Sequence, residues 1–214
     1  MGQNKKFDCT DCGTRNCYRQ KSNFPQQCPT MSLKEEELHQ ALDIYRSDEQ
    51  LNKLMHTAAQ IEGKYYGQQT RVEEIMSFAS TLGVEKIGVA ACVGLHHEAS
   101  IFTRIVREKG FNIVCIICKI GSVDKCELGI GEEYKIQQGQ FEASCNPVLQ
   151  AQMLNREQTS LNVVIGLCVG HDSIFYKHSE APATTLLTKD RVLGHNPAAA
   201  LYTYHSYYNK ITGG

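Results

Sequence analysis

Lys86-Ile-Gly-Val-Ala-Ala-Cys92, Asn112-Ile-Val-Cys-Ile-Ile-Cys118 and Asn162-Val-Val-Ile-Gly-Leu-Cys168 are three short, nearly unbroken apolar runs, each closing on a cysteine. A strand with one wet face alternates apolar and polar residues. A run that is apolar throughout belongs to a strand covered on both faces, the mark of a parallel sheet. A fourth run reads as a strand at Thr184–Thr188. Helical patterns fill Glu98–Lys109, Pro147–Arg156 and Pro197–Tyr208. This alternation predicts an α/β core over residues 84–214, a Rossmann-like, mostly parallel sheet of about four strands with flanking helices and right-handed crossovers. No G-x-G-x-x-G follows the first run, so the dinucleotide-binding fingerprint is absent.

Upstream, residues 32–83 read as helices expected to pack on that core. Ser32-x-x-Glu35, Ser47-x-x-Gln50 and Thr70-x-x-Glu73 have capping-box form. Leu38, Leu42 and Tyr45, then Leu51, Leu54, Met55, Ala58 and Ile61, recur at helical spacing. Residues 1–31 are different in kind, with few apolar side chains and four of the chain's ten cysteines.

Ten cysteines need a chemical reason. A disulfide framework belongs to short secreted chains. Here the start, Met-Gly-Gln-Asn-Lys-Lys, carries no apolar leader, no stretch approaches a membrane span, and Met1-Gly2 lacks the later Ser or Thr of a myristoylation signal. The expectation is a cytoplasmic protein with reduced thiols that serve metals or catalysis. A net charge of −1, with lysines and arginines scattered, leaves no nucleic-acid footprint and no reason to expect a membrane partner.

The four leading cysteines are Cys9, Cys12, Cys17 and Cys28, spaced C-x2-C-x4-C-x10-C, with Gly13 after the second and Pro29 after the last. Thiolates suit zinc and iron–sulfur clusters alike. Structural zinc sites pair two short knuckles, whereas only the first pair here is short. The spacing therefore leans towards a [4Fe–4S] cluster, with Zn2+ as the alternative. It resembles the segment that holds a four-iron cluster in carbon monoxide dehydrogenases, and it does not follow the plant-type ferredoxin order.

A second group is assembled by the fold. Ligands of open parallel sheets bind beyond the carboxyl ends of the strands, at the point where strand order reverses. Cys92, Cys118 and Cys168 each close an apolar run, and Cys92 and Cys168 share the text Cys-Val-Gly. Cys145-Asn146-Pro147 and His195-Asn196-Pro197 each place a reactive side chain ahead of an Asn N-cap and a Pro at the first helical position. A helix mouth favours negative charge, so a thiolate at Cys145 would be stabilised there. Cys92, Cys118, Cys145 and Cys168 are thus expected to line one pocket, as ligands of a second cluster or other metal centre. Cys145, Cys168, His171 and His195 are the catalytic candidates. A buried cysteine standing alone is ordinarily a small hydrophobe, the reading that suits Cys115 in mid-strand. Asp172, the run Lys189-Asp190-Arg191, His39 and His56 carry little weight, and Cys126 falls in a loop.

Nearly the whole chain, from Cys9 to about Tyr208, resembles a domain-of-unknown-function family of uncharacterised metal-binding proteins from anaerobic bacteria and archaea. The likeness rests on the leading cysteine array and on five longer motifs: Ala90–Leu95 (AACVGL), Cys118–Lys125 (CKIGSVDK), Cys145–Asn155 (CNPVLQAQMLN), Gly166–Ser173 (GLCVGHDS) and Lys189–Pro197 (KDRVLGHNP). The resemblance implies metal binding and an anaerobic setting, and brings no reaction with it.

Three functions fit this array. The first is an iron–sulfur redox or sulfur-handling protein, working on a small-molecule substrate or an electron-transfer partner at the strand-end pocket. The second is a zinc-stabilised binding module, and the third a metal-trafficking or sensing protein.

Overall fold

In a computed structural model of the protein, residues 8–19 and 23–213 are described. The chain divides into two compact units, Met1–Gln60 and Ile61–Gly214. In the first, one-turn 3-10 segments at Cys9–Asp11 and Asn16–Arg19 precede α1 (Pro29–Ser32), α2 (Glu35–Ser47) and α3 (Glu49–Tyr65), which runs on past Gln60. Two of the expected caps sit elsewhere. The hydroxyls of Ser32 and Ser47 are spent on the carbonyls of Pro29 and Asp43. Carboxylates do the capping instead: Glu37 accepts from the Lys34 N–H at 2.9 Å and Asp48 from the Leu51 N–H at 2.9 Å. Leu38, Leu42, Tyr45, Leu51 and Met55 keep their helical spacing but are exposed.

The second unit holds the sheet. α4 (Arg71–Leu82) opens on the expected capping box, with Thr70 and Glu73 bonded reciprocally, and ends at Gly83 in the left-handed conformation. Then follow β1 (Lys86–Ala91), α5 (His96–Glu108), β2 (Asn112–Ile117), α6 (Pro147–Arg156), β3 (Leu161–Ile165), α7 (His171–His178), β4 (Ala183–Leu187) and α8 (Ala198–Tyr202). The strands are all parallel, in the order β2-β1-β3-β4. The α/β sheet with flanking helices is the expected fold. The chain adds β2 on one side of β1 and then crosses to build β3 and β4 on the other, so the order reverses between β1 and β3. Registers Ala91↔Ile117 and Ala91↔Ile165 bring three carboxyl ends level. Central β1 and β3 are buried almost throughout, and the edge strand β2 is only half-buried. Phe102, Val106, Leu154 and Phe175 from α5, α6 and α7 close the core. Among the described residues no helix is long and apolar enough to cross a membrane.

The connection from β2 to α6, residues 118–146, has no strand or α-helix, yet it is stapled. The Lys135 side chain, only 4% exposed, pairs with Asp124 at 2.9 Å and Glu132 at 2.6 Å and donates to the Gln140 carbonyl. Lys125 pairs with Glu142 at 2.6 Å, and Glu142 accepts from the Ile136 N–H. The Cys126 N–H and Lys135 hold Asp124 below its ordinary range. Lys135 draws Glu132 down to about 2, and Lys125 lowers Glu142. Carboxyls lowered in the folded state stabilise it above their unfolded values and lose that contribution as pH falls through the folded ones. Protection of the amides of residues 122–144, measured against the unfolded chain at the same pH, should therefore be high at pH 6 and fall between about pH 4.5 and 2. Protection that is flat over that interval would show that these pairs do not hold the loop.

Candidate functional site

Cys92 and Cys118 are each the first residue beyond their strand, on adjacent strands in level register. The Cys118 N–H bonds the Ala91 carbonyl at 2.8 Å, continuing the ladder by one step. Cys145 arrives from α6: Asn146 caps the helix by accepting from the Leu149 N–H at 3.0 Å, and Pro147 occupies the first turn. The Asn146 N–H bonds the Cys118 carbonyl at 2.7 Å, so backbone pairing sets Cys145 beside Cys118. Their sulfurs share a hydrogen bond of 3.7 Å. From the other side the Val93 N–H, next along the chain from Cys92, donates to the Cys118 sulfur at 3.3 Å. Three thiols thus gather beyond the carboxyl ends of β1 and β2, with Cys118 in the middle.

Their electrostatics follow from that order. A bond from the Cys118 thiol favours the thiolate at Cys145, aided by the charges of Lys119 and His171. The same thiol lowers Cys92, with help from the Gly94 N–H and Lys189. Cys118, between two sulfurs and buried, is driven the opposite way and keeps its proton. One S–H serves one acceptor at a time, so the three titrate as a unit. Cys115, half-buried in β2, packs against the core and is pushed up to about 11 by desolvation, against a smaller pull from Arg107.

Cys168 stands apart. β3 stops at Ile165, so Cys168 lies three residues beyond the strand rather than at its end. At Gly166 the backbone has φ +64°, and a Cβ there would come within 2.6 Å of Leu95. Only glycine lets the chain turn across Leu95 at this point. Past the turn the Cys168 sulfur accepts from Arg191 at 3.0 Å, and the Cys168 carbonyl accepts from the His171 N–H. His171 opens α7, where its charge acts on Cys145.

His195 does not repeat the Cys145 arrangement. It has φ +65°, its Nδ1 accepts from the Asp190 N–H at 3.2 Å, and α8 begins without a side-chain cap. Accepting through Nδ1 leaves the proton of the neutral ring on Nε2. Among the described residues no hydrogen bond links His195 to the three thiols. Cys126 is exposed and donates to Glu132 at 3.0 Å.

Sequence reasoning passed over one cation, Lys119, and gave another, Lys189, little weight. Lys119 follows Cys118 directly and donates to the Ala143 carbonyl at 2.5 Å beside Cys145. Lys189 follows β4 and lies over the turn after Cys92, where a Cβ on Gly94 would sit 2.9 Å from its Nζ. Their signal was position: both follow a strand end, where a parallel sheet presents its site.

Of the leading cysteines, Cys9 and Cys17 are exposed and Cys12 and Cys28 half-exposed. Cys12 sulfur accepts from the Arg15 N–H at 3.4 Å, which lowers its pKa. Among the described residues no group of three or more His, Cys, Asp or Glu side chains is arranged to hold a metal ion.

Comparison with known proteins gives two matches. A family model described as protein of unknown function (DUF1847) matches residues 28–186, a span that contains all three clustered thiols. An uncharacterised protein of Methanocaldococcus jannaschii is 39% identical over 206 residues, covering 96% of this chain and 98% of that one.

Proposed function

The chain belongs to the DUF1847 family of proteins of unknown function, so its activity has to be argued from its own thiols, and we propose that it is a metal-binding redox protein that handles sulfur at the strand-end pocket. One observation carries this reading: Cys92, Cys118 and Cys145 gather beyond the carboxyl ends of β1 and β2, with Lys119 and Lys189 beside them. Thiols kept merely as small hydrophobes have no need of cations. A pocket of ionisable thiols next to lysines is suited to nucleophilic sulfur.

In this reading the metal belongs to Cys9, Cys12, Cys17 and Cys28. Their donor chemistry fits a thiophilic centre. The Arg15 N–H already faces the Cys12 sulfur as it would face a ligating thiolate. The two 3-10 turns that carry Cys9 and Cys17 bury no residue, so nothing apolar fixes this segment. A metal bound by its thiolates would supply the missing folding energy. Cys118 and Cys145, by contrast, lie in direct sulfur contact at 3.7 Å, which favours sulfur chemistry over a second cubane with its thiolates on separate irons.

Elemental analysis of an anaerobic preparation tests the proposal. The expected result is a brown protein with about four irons and matching sulfide per chain. Iron should fall sharply in Cys12→Ser and stay unchanged in Cys92→Ser. About eight irons, with loss in Cys92→Ser, would move the pocket to a second cluster. A colourless protein with about one zinc would replace the cluster by Zn2+. A protein without metal in either form would overturn the metal part of the reading.

A further inference from the structure

The pocket reading can be taken to a reaction, and this step rests on it. We propose that Cys145 and Cys118 are the attacking and resolving thiols of a disulfide exchange with low-molecular-weight disulfides that carry carboxylates. The assignment comes from placement. Cys145 is half-buried and has a path to solvent, whereas Cys118 is 1% exposed and Cys92 is 6% exposed. Of these three thiols, a dissolved disulfide can therefore reach only Cys145. Cys118 cannot meet the substrate, but it lies 3.7 Å behind the sulfur that does. A disulfide needs these sulfurs to close from 3.7 Å to roughly 2.05 Å, and the Asn146–Cys118 backbone bond already holds the two segments together.

The entropy of bringing these residues together is met by the fold. The 26 residues between Cys118 and Cys145 are tied by the Lys135 and Lys125 ion pairs and by the Ser144 N–H to the Val123 carbonyl at 2.7 Å. Two thiols held in this way react as neighbours, at high effective concentration. Lys119, beside Cys145, and Lys189, beside Cys92, give the approach a positive rim, and that favours an anionic substrate.

The chemistry balances without another reactant. The Cys145 thiolate attacks one sulfur of RS–SR. A Cys145–SR bond forms, the RS–SR bond breaks, and RS− leaves and takes a proton from solvent. The Cys118 sulfur then attacks the Cys145 sulfur. The Sγ–Sγ bond forms, the Cys145–SR bond breaks, and the second RS− leaves with the proton Cys118 gives up. Two electrons pass from the protein dithiol to the substrate, which ends as two RSH. Excess RSH runs the same steps backwards. The arrangement explains why a buried thiol stands directly behind an accessible one.

The test uses the full-length chain, purified without oxygen, reduced, assayed for iron and zinc, and then exposed to glutathione disulfide. Peptide mapping after alkylation should find a Cys118–Cys145 disulfide, with two glutathione thiols released for each disulfide consumed. Cys118→Ser should stop at a glutathione adduct on Cys145. Cys145→Ser should lose the pocket reaction, and Cys126→Ser should keep it. Unchanged melting of each variant separates lost chemistry from lost fold. An adduct on Cys92 or Cys118 in the parent protein, or wild-type rates in Cys145→Ser, would overturn the assignment. Exchange that starts only after chelation, with metal lost from Cys118→Ser, would overturn it too while leaving metal binding intact. Exchange in a protein free of metal would keep the pair and remove the metal part of the earlier reading.

Discussion

Gly88→Ala is expected to lower the melting temperature by about 10 °C, a large effect for one added methyl group. Gly88 lies in central β1, and a Cβ there would sit 2.1 Å from the Asn162 Oδ1, 3.0 Å from the Thr159 Cγ2 and 3.1 Å from the Leu154 Cδ1. The nearest atom has nowhere to go. Asn162 is fully buried; its Oδ1 accepts from the Thr159 hydroxyl at 2.8 Å and its Nδ2 donates to Ser179 at 2.8 Å. Overpacking costs about 1–3 kcal/mol, and unseating a buried hydrogen-bonded amide adds roughly 1–3 kcal/mol more. Against a total stability of about 5–15 kcal/mol this removes a large share. The Asn162→Ala background gives a sharper check. With the amide gone the methyl finds space, so Gly88→Ala should cost clearly less there than in the parent protein. Equal losses in both backgrounds would mean that Asn162 is not what the glycine makes room for.

Gly88 also shows what a sequence can and cannot say about this fold. The run KIGVAAC declared a buried strand, because six residues without a charge after the lysine fit a parallel sheet far better than a surface. The glycine inside it gave no hint of its neighbour, since Asn162 comes from a strand 74 positions later. Cys92 and Cys118 could be placed for the same reason as their strands. Cys145 could be placed because Asn-Pro is a local signal for a helix start, and α6 begins where that signal says. Cys168 is different. The apolar pattern continues through Gly166 and Leu167, but the chain has already left the sheet at Ile165. The positive φ that turns it is set by crowding against Leu95, which periodicity cannot register.

The eight residues of α7 were hidden by their shortness. The helix expected over Pro197–Tyr208 shrinks to Ala198–Tyr202, where the Thr203 hydroxyl takes the Ala199 carbonyl at 2.7 Å and the chain turns away. Lys119 was missed and Lys189 given little weight for another reason. A lysine beside a strand end is unremarkable until the strand order is known, and only the folded sheet sets Lys119 beside Cys145 and Lys189 beside Cys92.

Gln150 binds fold and site together, and Gln150→Ala is expected to cost about 2–5 kcal/mol, as large-to-small changes in cores do. Its side chain is fully buried, and Nε2 donates to the Ala91 carbonyl at 3.2 Å and to the Ile116 carbonyl at 2.7 Å. Those carbonyls lie one residue before Cys92 and two before Cys118. One amide on α6 therefore pins the ends of two strands at the level of their thiols, while Cys145 stands five residues earlier in the same segment. Its Oε1 is buried without a partner, a cost of about 1–3 kcal/mol that an apolar residue would avoid. Gln150→Met keeps the length and removes that orphaned acceptor, but it also gives up both bonds. The two changes oppose each other, so Gln150→Met should melt much closer to the parent than Gln150→Ala does. The thiols should still respond. Without the amide the β1 and β2 ends are free to part, and the Cys118–Cys145 disulfide should form more slowly in glutathione disulfide at nearly unchanged stability. Parent-like exchange in Gln150→Met would confine this residue to packing, whereas slowed exchange in a well-folded Gln150→Met would make it the positioning residue of the pocket.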